Sequence, residues 1–286
     1  MPPIVPPIGN FRVYAGLYVE EDELSPSSTR YRIVEAIVHL ALSLLETAKG
    51  RDSLANVARS IIRERDAAPG TRRRRPHHIY PDPVDGTKDS RKKMDYWIEK
   101  FLRSMRQGFP PVVICVTKGE AAAGKLHWGD DMAHYVASDA GIPDVSTGII
   151  DNMVNTLSQR STQLRSANRR TAVDVYDLFK FQMVISVAHE IVHFLTGFLT
   201  GTIEPHTPPG VNAAPYDQTT DGTGEAGRHW ESQLLGGFVE CWSELDHPLD
   251  LRQSGVPYLF ASGSHEVALG YQVSIPYIRD FLEESR

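Results

Sequence analysis

Apolar positions recur at helical spacing in three stretches between residues 28 and 108. In "STRYRIVEAIVHLALSLLETAKG" they fall at Ile33, Ile37, Leu40, Leu44 and Ala48, and the run closes at Gly50, so start and stop signals frame an amphipathic helix. "DSLANVARSIIRER" continues the spacing through Leu54, Val57, Ile61 and Ile62. "SRKKMDYWIEKFLRSMRQG" does so through Met94, Trp97, Ile98, Phe101, Leu102 and Met105. A further helix is predicted from Thr171 to Leu195, with Val175, Leu178, Phe179, Met183, Val187, Ile191 and Phe194 on its apolar face.

Strand signals are fewer. "PPVVICVTKG" is β-branched and bounded by Pro and Gly, as a buried strand would be, and "HWGDDMAHYVAS" and "VSTGIIDNMVNTL" are weaker strand candidates. Residues 1 to 27 carry several prolines and then "EEDELSPSS", which reads as an irregular arm followed by an acidic cap region. Residues 66 to 90 interrupt the periodicity with prolines and the block "RRRRPHH", read as a solvated basic loop in preference to a nucleic-acid patch. Together these elements predict an α+β protein, mainly helical with a small mixed sheet. A single domain over residues 1 to 286 is expected, with a helical N-terminal portion at about 28 to 107.

Composition narrows the partners. The 30 Lys and Arg stand against 36 Asp and Glu, a formal charge of −6, so no global basic field exists to hold nucleic acid or an anionic membrane. The start, "MPPIVPPIGNFRVYAG", lacks the basic and apolar regions of a secretory signal, and no later stretch reaches the roughly 18 apolar residues of a membrane span. A cytoplasmic protein is expected. Cys115 and Cys241 both sit in apolar settings, as small buried hydrophobes of a reducing compartment do.

The sharpest chemistry lies in "VAHEIVHFLTG", residues 187 to 197. Four residues is about one helical turn, so His189 and His193 project in nearly one direction and can offer two imidazole nitrogens to one cation. Glu190 points to the flank, where it can act as a general base without occupying a ligand position. Flanking Val187, Ile191, Val192, Phe194 and Leu195 draw both rings toward the interior, where neutral histidines need partners.

"HEIVH" at 189 to 193 resembles the zincin metallopeptidase superfamily. The resemblance implies zinc held by His189 and His193, with Glu190 assisting attack by a zinc-bound water. In the gluzincin branch a downstream helix adds a glutamate, and "DGTGEAGRHWESQLLGGFVECW", residues 221 to 242, is the expected helix. It offers Glu225, preferred because it lies near the helix start with small Ser232 and Gly236 along its own side, and Glu231 as the alternative. Tyr216, Arg228, His229 and His265 are candidates to steady an oxyanion or contact substrate, Tyr216 and His229 foremost. The loop at 201 to 222 is expected to form a wall or lid of the cleft.

The expected activity is that of a zinc-dependent hydrolase, a metallopeptidase acting on peptides or small amides. One alternative is the same scaffold turned to a non-proteolytic step on a small metabolite. A weaker one is a binding protein with a structural metal, which usually needs cysteine ligands that are missing near this motif.

Overall fold

The N-terminal arm, expected to be irregular, supplies two strands. The computed structural model describes residues 6–17, 20–67, 78–117, 119–125, 129, 131–162, 169–201, 206–213, 222–242, 255–261 and 270–284. Within it β1 (Val13–Leu17) pairs antiparallel with β2 (Glu20–Glu23). Val13 is fully buried, because β1 also pairs in parallel with a strand about a hundred residues further on. No local pattern announces such a partner.

Three helices follow as predicted: α1 (Thr29–Glu46), α2 (Ala48–Ala67) and α3 (Lys88–Gln107). The first boundary falls at Thr47 and not at Gly50. Thr47 Oγ1 donates to the Leu44 carbonyl at 2.7 Å and accepts from the Gly50 N–H at 2.9 Å, so one side chain serves the end of α1 and the start of α2. The arginine block of the expected basic loop lies outside the described residues. Beyond it, the Ile79 and Tyr80 N–H groups both donate to the Leu199 carbonyl.

The strand β3 (Val112–Cys115) forms where predicted and lies in the middle of a five-stranded sheet of order β2-β1-β3-β5-β4. Here β4 is Ala121–Lys125 and β5 is Gly141–Ser146. β1, β3 and β5 run parallel, while β4 is antiparallel to β5 and forms one edge. Both weaker strand candidates are corrected. "HWGDDMAHYVAS" contains two short 3-10 turns, Met132–His134 and Ala137–Asp139. "VSTGIIDNMVNTL" contributes only its first residues to β5 and continues as helix α4 (Thr147–Thr162), which buries Ile150, Met153 and Thr156 at helical spacing.

The segment carrying the two histidines is α5 (Arg169–Thr200), longer than predicted at both ends. Its buried residues include Phe179, Val184, Val187, Ala188, Ile191, Val192, Leu195 and Phe198, which cover more than half of the helix circumference and leave a polar stripe of Gln182, Ser186, His189 and Glu190. So wide an apolar face has to be packed on several sides. It packs against α1, α4, β4 and β5, and Phe198 meets Trp97, Phe101 and Tyr135 with ring centroids 4.9 to 6.3 Å apart. Burying each such phenylalanine contributes about 2 kcal/mol. By length and composition alone the span Val173–Thr200 could cross a membrane, but 78% of its most apolar window is buried inside the protein, as in a core helix.

Downstream, the helix expected over 221 to 242 breaks in two. α6 (Ala226–Leu235) stops at Gly236, whose φ of 81° is the left-handed conformation that glycine adopts at helix ends. The chain then continues as β6 (Gly237–Trp242), which pairs with β7 (Val256–Ala261), itself paired with β8 (Gly270–Gln272), in a small antiparallel sheet. α7 (Ile275–Glu284) packs on α5, with the Phe181 and Phe281 rings 5.2 Å apart. The fold class is α+β. One apolar cluster runs from Phe11 to Leu282 and includes all three N-terminal helices.

A polar contact joins α1 to α3 inside this core. Arg106, 5% exposed, forms two hydrogen bonds to the Glu46 carboxylate, at 3.0 and 2.7 Å, and donates a third at 3.0 Å to His39 Nδ1. His39 must be neutral to accept. Burial and then the Arg106 charge lower its pKa below the ordinary 6.5, against a smaller opposing pull from Glu46. Because the folded pKa lies below the unfolded one, the His39 contribution to stability is complete above about pH 6.5 and is lost as pH falls toward the folded value. Urea unfolding at pH 7.5 and 5.5 should therefore show a smaller loss of stability on acidification for His39→Gln than for the native chain. Glu46→Ala, which strands a buried guanidinium, should cost about 3 kcal/mol at either pH.

Candidate metal centre

His189 and His193 face the same side of α5, with ring centroids 5.1 Å apart. Opposite them stands Glu225, whose Oε1 is 3.3 Å from His189 Nε2 and 2.7 Å from His193 Nε2. One ligand atom from each of the three lies within 4.8 Å of the other two. An ion bound tetrahedrally at about 2.0–2.1 Å spaces its ligand atoms by about 3.3 Å, which the His189–Glu225 pair already matches and the closer His193–Glu225 pair must open to reach.

Glu225 is the N-cap of α6, and its carboxylate also accepts the Gly227 N–H at 3.3 Å. Its main chain is fixed by the segment 206 to 213. The Glu225 N–H donates to the Val211 carbonyl at 2.9 Å and to Asn212 Oδ1 at 2.8 Å, and the Gly224 N–H donates to the Thr207 carbonyl at 3.0 Å. The described part of the expected wall or lid is thus a splint for the ligand, and residues 202–205 and 214–221 lie outside the described residues.

The small residue that lets α6 approach α5 is Gly227, not Ser232 or Gly236. A Cβ at Gly227 would fall on the imidazole of His189. Ser232 Oγ instead donates to the His229 carbonyl, and Gly236 ends the helix.

The alternative ligand, Glu231, has a different place. It is 4% exposed, its Oε1 accepts from His189 Nδ1 at 2.7 Å, and its Oε2 accepts from the Val239 N–H at 2.8 Å. A carboxylate on Nδ1 fixes the tautomer that leaves Nε2 free for a cation and makes the ring more basic. Glu231 is therefore a positioning residue for His189. The sequence signal was its burial beside Trp230, which requires a positive or donating partner.

The charges are coupled. Burial alone would disfavour a protonated His189, but hydrogen bonds to Glu225 and Glu231 and the charge of Glu190 outweigh it and raise its pKa well above the ordinary imidazole value. Burial likewise pulls the Glu225 pKa up, and the bonds from both histidines overcome it and keep the carboxylate ionised. Negative charge held among partly buried imidazoles demands a cation, either a proton or a metal ion. The donor set of two imidazoles and a carboxylate suits zinc.

His189 and Glu225 open onto a cleft of about 230 Å³, lined also by Arg228 among others. Glu190 lines the cleft beside His189. Arg228 extends into the cleft, ion-paired with Glu240 and lying over the Phe238 ring at 4.8 Å. His229 does not line it, and its Nδ1 is engaged by the Asn212 carbonyl at 3.0 Å. Tyr216 and His265 lie outside the described residues. Sequence reasoning missed Glu120, Gln182, Ser186 and Glu240, which also line the cleft. Gln182 and Ser186 precede His189 by seven and three residues, a helical spacing that could have revealed them.

In comparison with known proteins, no family model, curated protein or solved structure matches the chain.

This geometry predicts graded metal affinities, measurable by competition with a zinc chelator. Glu225→Ala and His193→Ala should lose the tight site. Glu231→Gln should weaken it by about 10 to 100-fold without emptying it. Gly227→Ala should weaken it although it removes no ligand atom, because the added methyl displaces the His189 ring.

Proposed function

We propose that the chain is a zincin-like, zinc-dependent hydrolase acting on peptides or small amides. The observation that carries this reading is the convergence of His189, His193 and Glu225 within 4.8 Å of one another, beside Glu190 in an open cleft. When bound, zinc supplies a Lewis acid that brings the pKa of a coordinated water toward about 7.

The chain's own residues supply the rest. The Glu190 carboxylate accepts the proton of the attacking water and passes it to the leaving amine, general acid–base work for which a flanking position is suited. Glu231 holds His189 by Nδ1, and Glu225 completes the cage from the start of α6. Arg228 is the cleft's cationic donor for an oxyanion, once it turns from Glu240.

Two features favour an extended peptide. Ala121 of β4 lines the cleft, and among the described residues β4 is a sheet edge, where a substrate strand can pair. Val239 also borders an apolar recess of about 260 Å³, formed by residues such as Phe181, Leu235, Leu259 and Tyr277, with room for an apolar side chain.

Zinc-loaded protein should cleave members of a mixed peptide library, and chelation should stop it. Glu190→Gln should keep its zinc yet cleave about 10² to 10⁴-fold more slowly. Retention of full activity in that variant would sink the mechanism, and absence of cleavage from every zinc-loaded preparation would sink the peptidase assignment.

A further inference from the structure

The cleft carries more negative charge than its metal chemistry uses. Beyond Glu190, Glu225 and Glu231 it is lined by Glu120 and Glu240, and the guanidinium of Arg228 is already paired with Glu240. A divalent ion at the histidines still leaves these walls net negative. Charge of this kind specifies no ligand by itself.

Gln182 makes it specific. The side chain is 8% exposed and lines the cleft, and its Nε2 donates to Glu120 Oε1 at 2.9 Å. Its Oε1 is buried and has no hydrogen-bond partner among the described residues. An ionised carboxylate only accepts, so the amide nitrogen must face Glu120, and the carbonyl cannot be satisfied by turning the amide over. A carboxylate and an orphaned carbonyl, side by side, await a donor with several N–H groups.

The frame around this pair is rigid. Glu120 directly precedes β4, and its carbonyl accepts the Ser146 N–H at 2.9 Å. Gln182 sits two turns before His189 on the same face of α5, about 10 Å along the axis. Cys241, also lining the cleft, offers no competing charge. Burial, and then the field of Glu120, Glu240 and Glu231, push its thiol up to about 12 and keep it neutral.

We infer that Glu120 and Gln182 form a cation-binding subsite that receives an ammonium or guanidinium group of the substrate, an assignment of substrate class that rests on the hydrolase reading above. The group can belong to a basic side chain near the scissile bond or to the substrate's amino terminus. Both present N–H donors and a positive charge.

Three probes separate the sources by calorimetric or NMR titration: Nα-acetyl-lysine amide (side-chain cation), norleucine amide (α-amine) and Nα-acetyl-norleucine amide (neither). At least one cationic probe should bind about tenfold or more tightly than the neutral one, and the tighter of the two names the source. Glu120→Gln should erase that preference while leaving zinc affinity unchanged, which excludes unfolding as the cause. Gln182→Leu should reduce it. With zinc-loaded enzyme, kcat/KM for peptides differing only in that group should follow the same order. Equal binding of all three probes, or a preference that survives Glu120→Gln, would overturn the subsite. Glu120-dependent binding without cleavage of any peptide would leave the subsite standing and remove the hydrolase reading.

Discussion

The site depends on how closely the start of α6 approaches α5. The third candidate ligand comes from the N-cap, and it reaches both imidazoles only because Gly227 places no side chain against the His189 ring. Every other feature serves this approach. The segment 206 to 213 ties down the main chain of Gly224 and Glu225, and from Phe181 to Thr200 α5 is buried except at His193 and at Ser186, His189 and Glu190, which face the cleft, so its backbone cannot yield.

Electrostatics then determines what the approach can hold. Glu225 and Glu231 meet His189 from opposite nitrogens, and Glu190 adds its charge from the flank. In a partly desolvated setting such carboxylates are tolerable only with positive charge among them. The two glutamates nevertheless have separate roles. Glu225 faces both Nε2 atoms, whereas Glu231 is spent on Nδ1 and on the Val239 N–H.

Glu225 also bears a conflict. An N-cap side chain normally serves the first turn of its helix, yet this one is shared between the Gly227 N–H and two imidazoles. A candidate ligand taken from a cap is held at a defined place by the helix it starts, and its main chain is fixed further because the Glu225 N–H donates to the Val211 carbonyl and to Asn212 Oδ1. The same economy recurs along the cleft wall, where Gln182 on α5 and Glu120 beside β4 project from elements that are themselves fixed by burial and pairing.

The sequence by itself determined the helices and half of the site. Helical period is a local property, so α1, α2, α3 and the core of α5 were legible, and a four-residue interval places His189 beside His193 on any helix. Local pattern failed where the partner is distant: β1 and β2 in a proline-bearing arm, α4 taken for a strand, and the stretch 221 to 242, which Gly236 divides into helix and strand. Only the tertiary structure distinguishes the places of Glu225 and Glu231, because both are glutamates of one short segment. What separates them is which imidazole nitrogen each can reach, and that is set by the packing of α6 on α5, a contact between residues more than thirty positions apart.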